Sequence, residues 1–227
     1  MASLAKDPQD LRLVASSDKS GTVCDPAGLD PKSLRAAKAG GVPMAEQAGG
    51  VAASALELDR EIGADVVLDA TPSEPSAVGA TLELGDAVRA RGGRFVVAGK
   101  RAPAVAADRW FDEGNPVGIH AALGGSGQQL LRNLKPWRSG WQRVELVGNA
   151  TSSALLDALA EGAAFPAAYE LCESEGLLEA DPTSDLDGSD AALKLAMVVG
   201  VLPGRPVDTA TEQRLDLRPV EVSTVKA

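Results

Sequence analysis

Residues 65–98 switch from a short apolar run to a helical repeat and back to an apolar run, and few folds accommodate that order. Asp65-Val-Val-Leu-Asp-Ala is the pattern of a short buried strand, closed by Thr71-Pro72-Ser73. Val78, Leu82, Leu84, Ala87 and Val88 then predict a helix over 78–91, which stops at Gly92-Gly93. Residues 94–98 read as a second strand. Strand, helix and strand in this order imply parallel crossovers and an α/β layer.

The flanking segments extend this layer. Residues 11–16 are apolar enough for a strand and end in the polar turn Ser17-Asp18-Lys19-Ser20-Gly21. In doubly wound folds an acid at the end of the second strand bonds the ribose hydroxyls of a dinucleotide, which makes Asp18 a cofactor candidate; acids in turns are more often structural. Asp25-Pro-Ala-Gly-Leu-Asp is a further turn, residues 31–39 start a helix, and 40–50 form a glycine-rich loop. Further on, 117–123 and 144–147 are strand-like, and 128–134 starts a helix. Thr151 is placed to cap a helix to about residue 161. Residues 165–174 predict another, with Ala168, Leu171 and Cys172 inward and Glu170, Glu173 and Glu175 outward.

Charge and rare residues exclude several classes. A net charge of -10 at pH 7 disfavours nucleic acid and anionic membranes, which require a basic patch, and leaves a small molecule as the expected partner. Cys24 and Cys172 lie far apart, so neither a zinc cluster nor a disulfide framework is indicated, and a cytoplasmic location is the expectation. His120 is the single histidine, which weakens a Ser-His-Asp triad and any multi-histidine site; no metal is expected. No run approaches the roughly 18 apolar residues of a membrane span.

The stretch Gly176-Leu-Leu-Glu-Ala-Asp-Pro-Thr-Ser-Asp-Leu-Asp-Gly-Ser-Asp-Ala-Ala-Leu-Lys-Leu195 sets Glu179, Asp181, Asp185, Asp187 and Asp190 around one lysine, Lys194. Pro182 and Gly188 make its first part a loop, while Ala191, Ala192, Leu195, Val198, Val199 and Leu202 recur with helical spacing. Ser189 is a plausible N-cap and puts Asp190 in the first turn, one turn before Lys194 on the same face. Spacing alone leaves two readings open: an exposed ion pair worth about 0.3–0.5 kcal/mol, or a lysine held among carboxylates as a tuned proton donor.

The order Glu-Ala-Asp-Pro, then Asp, then Gly-x-Asp-Ala-Ala-x-Lys-Leu resembles the signature of homoserine dehydrogenases. Ser17-Asp18-x-Ser-Gly21, Thr71-Pro72-Ser73, Val96-Val-Ala-Gly-Lys100 and Gly148-Asn149-Ala-Thr151 resemble family segments in the same order. The resemblance implies an incomplete Rossmann-type nucleotide-binding domain, 1–118, followed by an α+β substrate and catalytic domain, 119–204, with 205–227 as a tail. It implies NAD- or NADP-dependent interconversion of L-homoserine and L-aspartate 4-semialdehyde, a step of threonine and methionine biosynthesis, and a homodimer. Lys194, Lys100 and Asp190 are then the catalytic candidates, and Glu179, Asp185 and Asn149 the substrate-binding ones. Asp18, Thr71, Pro72 and Lys100 fall to the cofactor.

Departures from the family are visible. His120 stands where an acid is usual, Gln128 replaces a proline, and Leu177 replaces a substrate-facing tyrosine. Nothing before Leu11 supplies the first strand and Gly-x-Gly-x-x-Gly loop that hold a pyrophosphate, so a family member lacking both is expected. That leaves a non-catalytic or regulatory homologue as the alternative. Asp18 favours a ribose diol and neighbouring Lys19 a 2'-phosphate, so NAD and NADP both remain open.

Overall fold

The computed structural model describes residues 11–111, 114, 117–125, 127–134, 141–178, 181–202 and 216–218. The chain divides into two compact units, Met1–Leu68 with Gly79–Val96 and Asp69–Val78 with Val97–Ala227. It adopts the mixed α/β class expected from its sequence.

In the first unit, β1 (Ala15–Asp18) and β2 (Gly21–Cys24) form an antiparallel hairpin in which Ala15 faces Cys24 and Asp18 faces Gly21. The expected strand over 11–16 therefore lies further along. Its register is set by the two-residue turn Lys19-Ser20, where Asp18 accepts from the Ser20 backbone N–H at 2.8 Å and the Ser20 hydroxyl at 2.5 Å. Gly21 has φ 144°, and a Cβ there would meet the Val51 carbonyl at 2.3 Å, so only glycine serves at this corner. Leu13 and Val14 instead accept backbone bonds from Leu29 and Asp25.

Helix α1 (Pro31–Ala39) has the expected bounds because Asp30 accepts from the N–H groups of Lys32 and Ser33 and proline occupies the first turn. A single 3-10 turn (Met44–Glu46) leads to β3 (Gly50–Val51), which pairs antiparallel with β2. Val23, Leu34 and Met44 form the core here, with Leu13 and Leu29 packed against them. Three antiparallel strands thus stand where a single strand was expected; the connection from β1 to β2 is two residues long, and a parallel crossover would require about a dozen. Helix α2 (Ala55–Ile62) was not anticipated, although its start is a capping box. The Ser54 hydroxyl accepts from the Glu57 N–H, and Glu57 accepts from the Ser54 backbone.

The parallel expectation holds for β4 (Val66–Asp69) and β5 (Arg94–Val97), joined through α3 (Val78–Ala90). Arg94 N–H donates to the Asp65 carbonyl and Ala98 N–H to the Asp69 carbonyl, both at 2.8 Å; donors and acceptors advance in the same direction, which is the parallel pattern.

The second unit is helical: α4 (Arg101–Val105), α5 (Ala107–Trp110), α6 (Gly127–Leu134), α7 (Ala150–Ala160), α8 (Phe165–Ser174), α9 (Thr183–Leu186) and α10 (Ser189–Val201). Helix α10 packs against α4, α5, α6 and α9, and α7 packs against α8. Leu155, Leu159, Ala168, Cys172, Leu186 and Leu217 share one apolar cluster.

Several local expectations fail here for identifiable reasons. The run 117–123 makes one bridge, Val97 N–H to the Gly118 carbonyl at 2.9 Å, and then turns back on itself. Residues 144–147 alternate but form no strand among the described residues, and Val147 is 89% exposed. Leu171 faces outward on α8 at 49% exposure, while Ala168 and Cys172, with Phe165 and Tyr169 beside them, make the packed face. Residues 183–186, expected as loop, make a single helical turn. On α10 the buried face runs through Asp190, Ala196, Met197 and Val198, leaving Leu195 37% exposed.

Candidate active site

Helix α10 begins at Gly188, whose φ of 75° is the left-handed conformation glycine adopts without strain. Ser189, expected as the cap, is instead the first helical residue, and its N–H donates to Asp187 at 2.8 Å. Asp190 stands in the first turn, where the helix dipole favours a carboxylate, and it is 4% exposed.

Three donors surround that carboxylate. Lys194 Nζ, one turn along α10, lies 2.9 Å from Asp190 Oδ2. Asn149 Nδ2 donates to the same oxygen at 2.8 Å. Lys100 Nζ donates to Oδ1 from ninety residues away. Burial pushes the Asp190 carboxyl up, but the Lys100, Lys194 and Asn149 bonds together outweigh it and hold the group below its ordinary value. It stands as an anion between two ammonium groups.

Each partner is itself held. Lys100 follows β5, with its N–H donated to Ser73 Oγ at 2.9 Å and its side chain 33% exposed. Lys194, 14% exposed, also donates to the Gly148 carbonyl at 2.7 Å. Asn149 caps α7 by accepting from Ser152 N–H at 2.8 Å, the place expected for Thr151. Thr151 is buried in the helix, and its hydroxyl donates to the Leu177 carbonyl at 2.7 Å. Asn149 Nδ2 also donates to Asp185 Oδ1 at 2.6 Å, drawing a second carboxylate toward the first.

Lys100, Asn149, Asp185, Asp190 and Lys194 are therefore brought together by direct bonds. Thr71 and Pro72 are exposed on the turn after β4; the N–H and hydroxyl of Thr71 both donate to Asp69 Oδ1, at 2.8 and 2.6 Å. Ser73 of the same turn holds Lys100 through its hydroxyl and accepts from the Arg101 side chain through its carbonyl at 3.2 Å. It is absent from the expected set, and no spacing rule would have found it. Asp18 lies in the other unit, where it pairs with Lys38; the Lys38 and Ser20 bonds hold its carboxyl well below the usual range. Glu179 lies outside the described residues.

Two ammonium groups fixed on one buried carboxylate, with a second carboxylate alongside, form a charged cluster in an α/β protein, an arrangement chemically suited to an oxygen that gains negative charge. Residues 134–226 match the model of the homoserine dehydrogenase family. A homoserine dehydrogenase of Methanocaldococcus jannaschii is 26% identical over 215 residues, 88% of this chain and 62% of that protein. An NAD(+)-dependent homoserine dehydrogenase of Pseudomonas canavaninivorans is 28% identical over 193 residues, 80% of this chain and 53% of that protein. A solved hyperthermophilic archaeal homoserine dehydrogenase mutant in complex with NADPH superposes with a TM-score of 0.66 at 26% identity, covering 93% of this chain and 66% of that one. The chain is thus similar to homoserine dehydrogenases in sequence over most of its described length and, from residue 134 onward, to the family model. It spans 62% of the length of the Methanocaldococcus relative and 53% of the Pseudomonas one.

Proposed function

We propose that the chain interconverts L-homoserine and L-aspartate 4-semialdehyde with NAD or NADP, a step of threonine and methionine biosynthesis. The observation that carries this reading is the convergence of Lys100 and Lys194 on buried Asp190. In the reductive direction the aldehyde oxygen gains negative charge as its carbon accepts a hydride. An ammonium aimed at that oxygen stabilises the charge and passes it a proton, and Lys194 takes this role with Lys100 supporting. Asp190 orients both. Asp185, engaged by Asn149 through one oxygen, and Glu179 hold the substrate ammonium.

The residues present fit a nicotinamide dinucleotide. Ligands of parallel α/β sheets bind at the carboxyl ends of the strands, where β4 leads to exposed Thr71 and Pro72 and β5 to Gly99 and Lys100. A Cβ at Gly99 would lie 3.0 Å from Ser73 Oγ, so the two turns approach closely where the Ser73 hydroxyl accepts from Lys100 N–H. The dinucleotide supplies the hydride; the protein supplies placement and charge. Asp18, ending β1, is proposed to meet the ribose, with Lys19 beside it for a 2'-phosphate. Residues 1–118 are assigned to the cofactor and 119–204 to the substrate. A homodimer in the cytoplasm completes the reading, and free Cys24 and Cys172 are compatible with a reducing compartment.

The test is direct. Purified protein is titrated with NADPH and NADH, and homoserine-dependent reduction of NADP and NAD is followed beside Lys194→Ala. Turnover lost with that substitution supports the reading. Homoserine binding without cofactor binding or turnover sinks it.

A further inference from the structure

The side-chain amide of Asn149 is fully committed within the protein. Its Oδ1 accepts from Ser152 N–H at 2.8 Å, while Nδ2 donates to Asp185 at 2.6 Å and to Asp190 at 2.8 Å. The amide has one possible orientation, because a backbone N–H can only donate and an ionised carboxylate can only accept. The residue is 7% exposed. Any helix cap needs just an acceptor, which serine or aspartate would supply equally well. An amide alone among the short capping side chains can cap with one end and donate to two carboxylates with the other.

We propose that Asn149 is a positioning residue, not a substrate contact: it yokes Asp185 to Asp190 and thereby sets the direction in which Lys194 is presented. The inference rests on the dehydrogenase reading above for its kinetic consequence, but not for its geometry. Without the yoke, Asp185 and Asp190 repel each other, Asp190 loses one of the two donors on Oδ2, and Lys194 keeps Gly148 as its other fixed partner. The lysine then follows the carbonyl instead of the carboxylate.

Full-length Asn149→Ser and Asn149→Asp both retain an acceptor at the cap, which separates capping from yoking. In steady-state assays with homoserine and NAD or NADP, kcat is expected to fall about tenfold to a hundredfold with KM changed less than about threefold, the signature of misplacement. In Asn149→Asp, where a third carboxylate joins the pair, the acid limb of the kcat profile also moves to higher pH. A raised KM at unchanged kcat would mean a substrate contact, and no change in either variant would mean a cap only; both overturn the proposal.

A readout free of turnover distinguishes this from failure of the dehydrogenase reading. The carboxyl carbon of Asp190, assigned by its loss in Asp190→Asn, is titrated by NMR in the unsubstituted protein and both variants. A midpoint moved upward in both supports the yoke even for a chain that turns over nothing; an unmoved midpoint overturns it. Absence of turnover in the unsubstituted protein with both cofactors counts against the dehydrogenase reading alone.

Discussion

Lys100 and Lys194 donate to opposite oxygens of one carboxylate, Asp190, so neither lysine can shift without unbalancing the other. Removing that carboxylate leaves two ammonium groups without their shared counter-charge. Asp190→Ala is expected to destabilise the protein by about 3 kcal/mol, the lower end for breaking a buried pair, because Lys100 is partly exposed. Urea unfolding measures the loss, and a change below about 1 kcal/mol would mean that solvent screens the cluster.

The same carboxylate sets an acid sensitivity. The folded-state value of Asp190 is below the 3.8 of an unperturbed aspartate, so its contribution is fully present above about pH 4 and is lost as the pH falls through the folded value. Unfolding free energy followed from pH 6 downward should therefore decline more steeply in the unsubstituted protein than in Asp190→Asn. Parallel curves would remove Asp190 from the acid response. Asp18, also lowered, acts with the same sign in the other unit, and Asp18→Asn separates the two.

The capping box of α2 offers a third test. Ser54→Ala removes an acceptor for Glu57 N–H and a partner for the Glu57 carboxylate, and should cost about 1 kcal/mol. Ser54→Asp, which keeps a cap, should recover most of it in the same thermal or urea measurement. Equal loss in both would show that the cap is not what stabilises this helix.

Gly200 on α10 approaches Ala107 so closely that an added Cβ would lie 2.3 Å from the Ala107 Cβ. Alanine favours a helix over glycine by about 1 kcal/mol, but overpacking typically costs about 1–3 kcal/mol, so Gly200→Ala should be net destabilising. Pairing it with Ala107→Gly should restore stability. A stabilised single variant would mean that α10 slides freely on α5.

These residues also show what sequence could convey. Some helices with chemical punctuation were legible: Asp30 with Pro31 defines α1, and Gly92-Gly93 closes α3, whereas the Ser54–Glu57 box of α2 went unread. The Asp190–Lys194 pair followed from helical spacing. Lys100 reached the expected set through its likeness to a family segment, since no periodicity relates residues ninety apart. Strands fared worse, because a strand exists only with its partner. Residues 117–123 and 144–147 carry apolar patterns without a ladder, whereas polar Ala15–Asp18, half of it read as turn, pairs with Gly21–Cys24. The cap passed from Thr151 to Asn149 because the threonine hydroxyl is drawn to the Leu177 carbonyl.

Leu217 is buried against the helical core, and its N–H donates to the Leu186 carbonyl at 2.9 Å, next to Asp185. The acidic turn is thus finished by a residue translated about thirty positions later. A chain emerging in order folds its early segments first, so Leu186 acquires this partner only after residue 217 has been made. Closure of this corner of the helical core is consequently a late event of synthesis, and nascent chains halted before residue 217 should leave the Leu186 carbonyl without this donor.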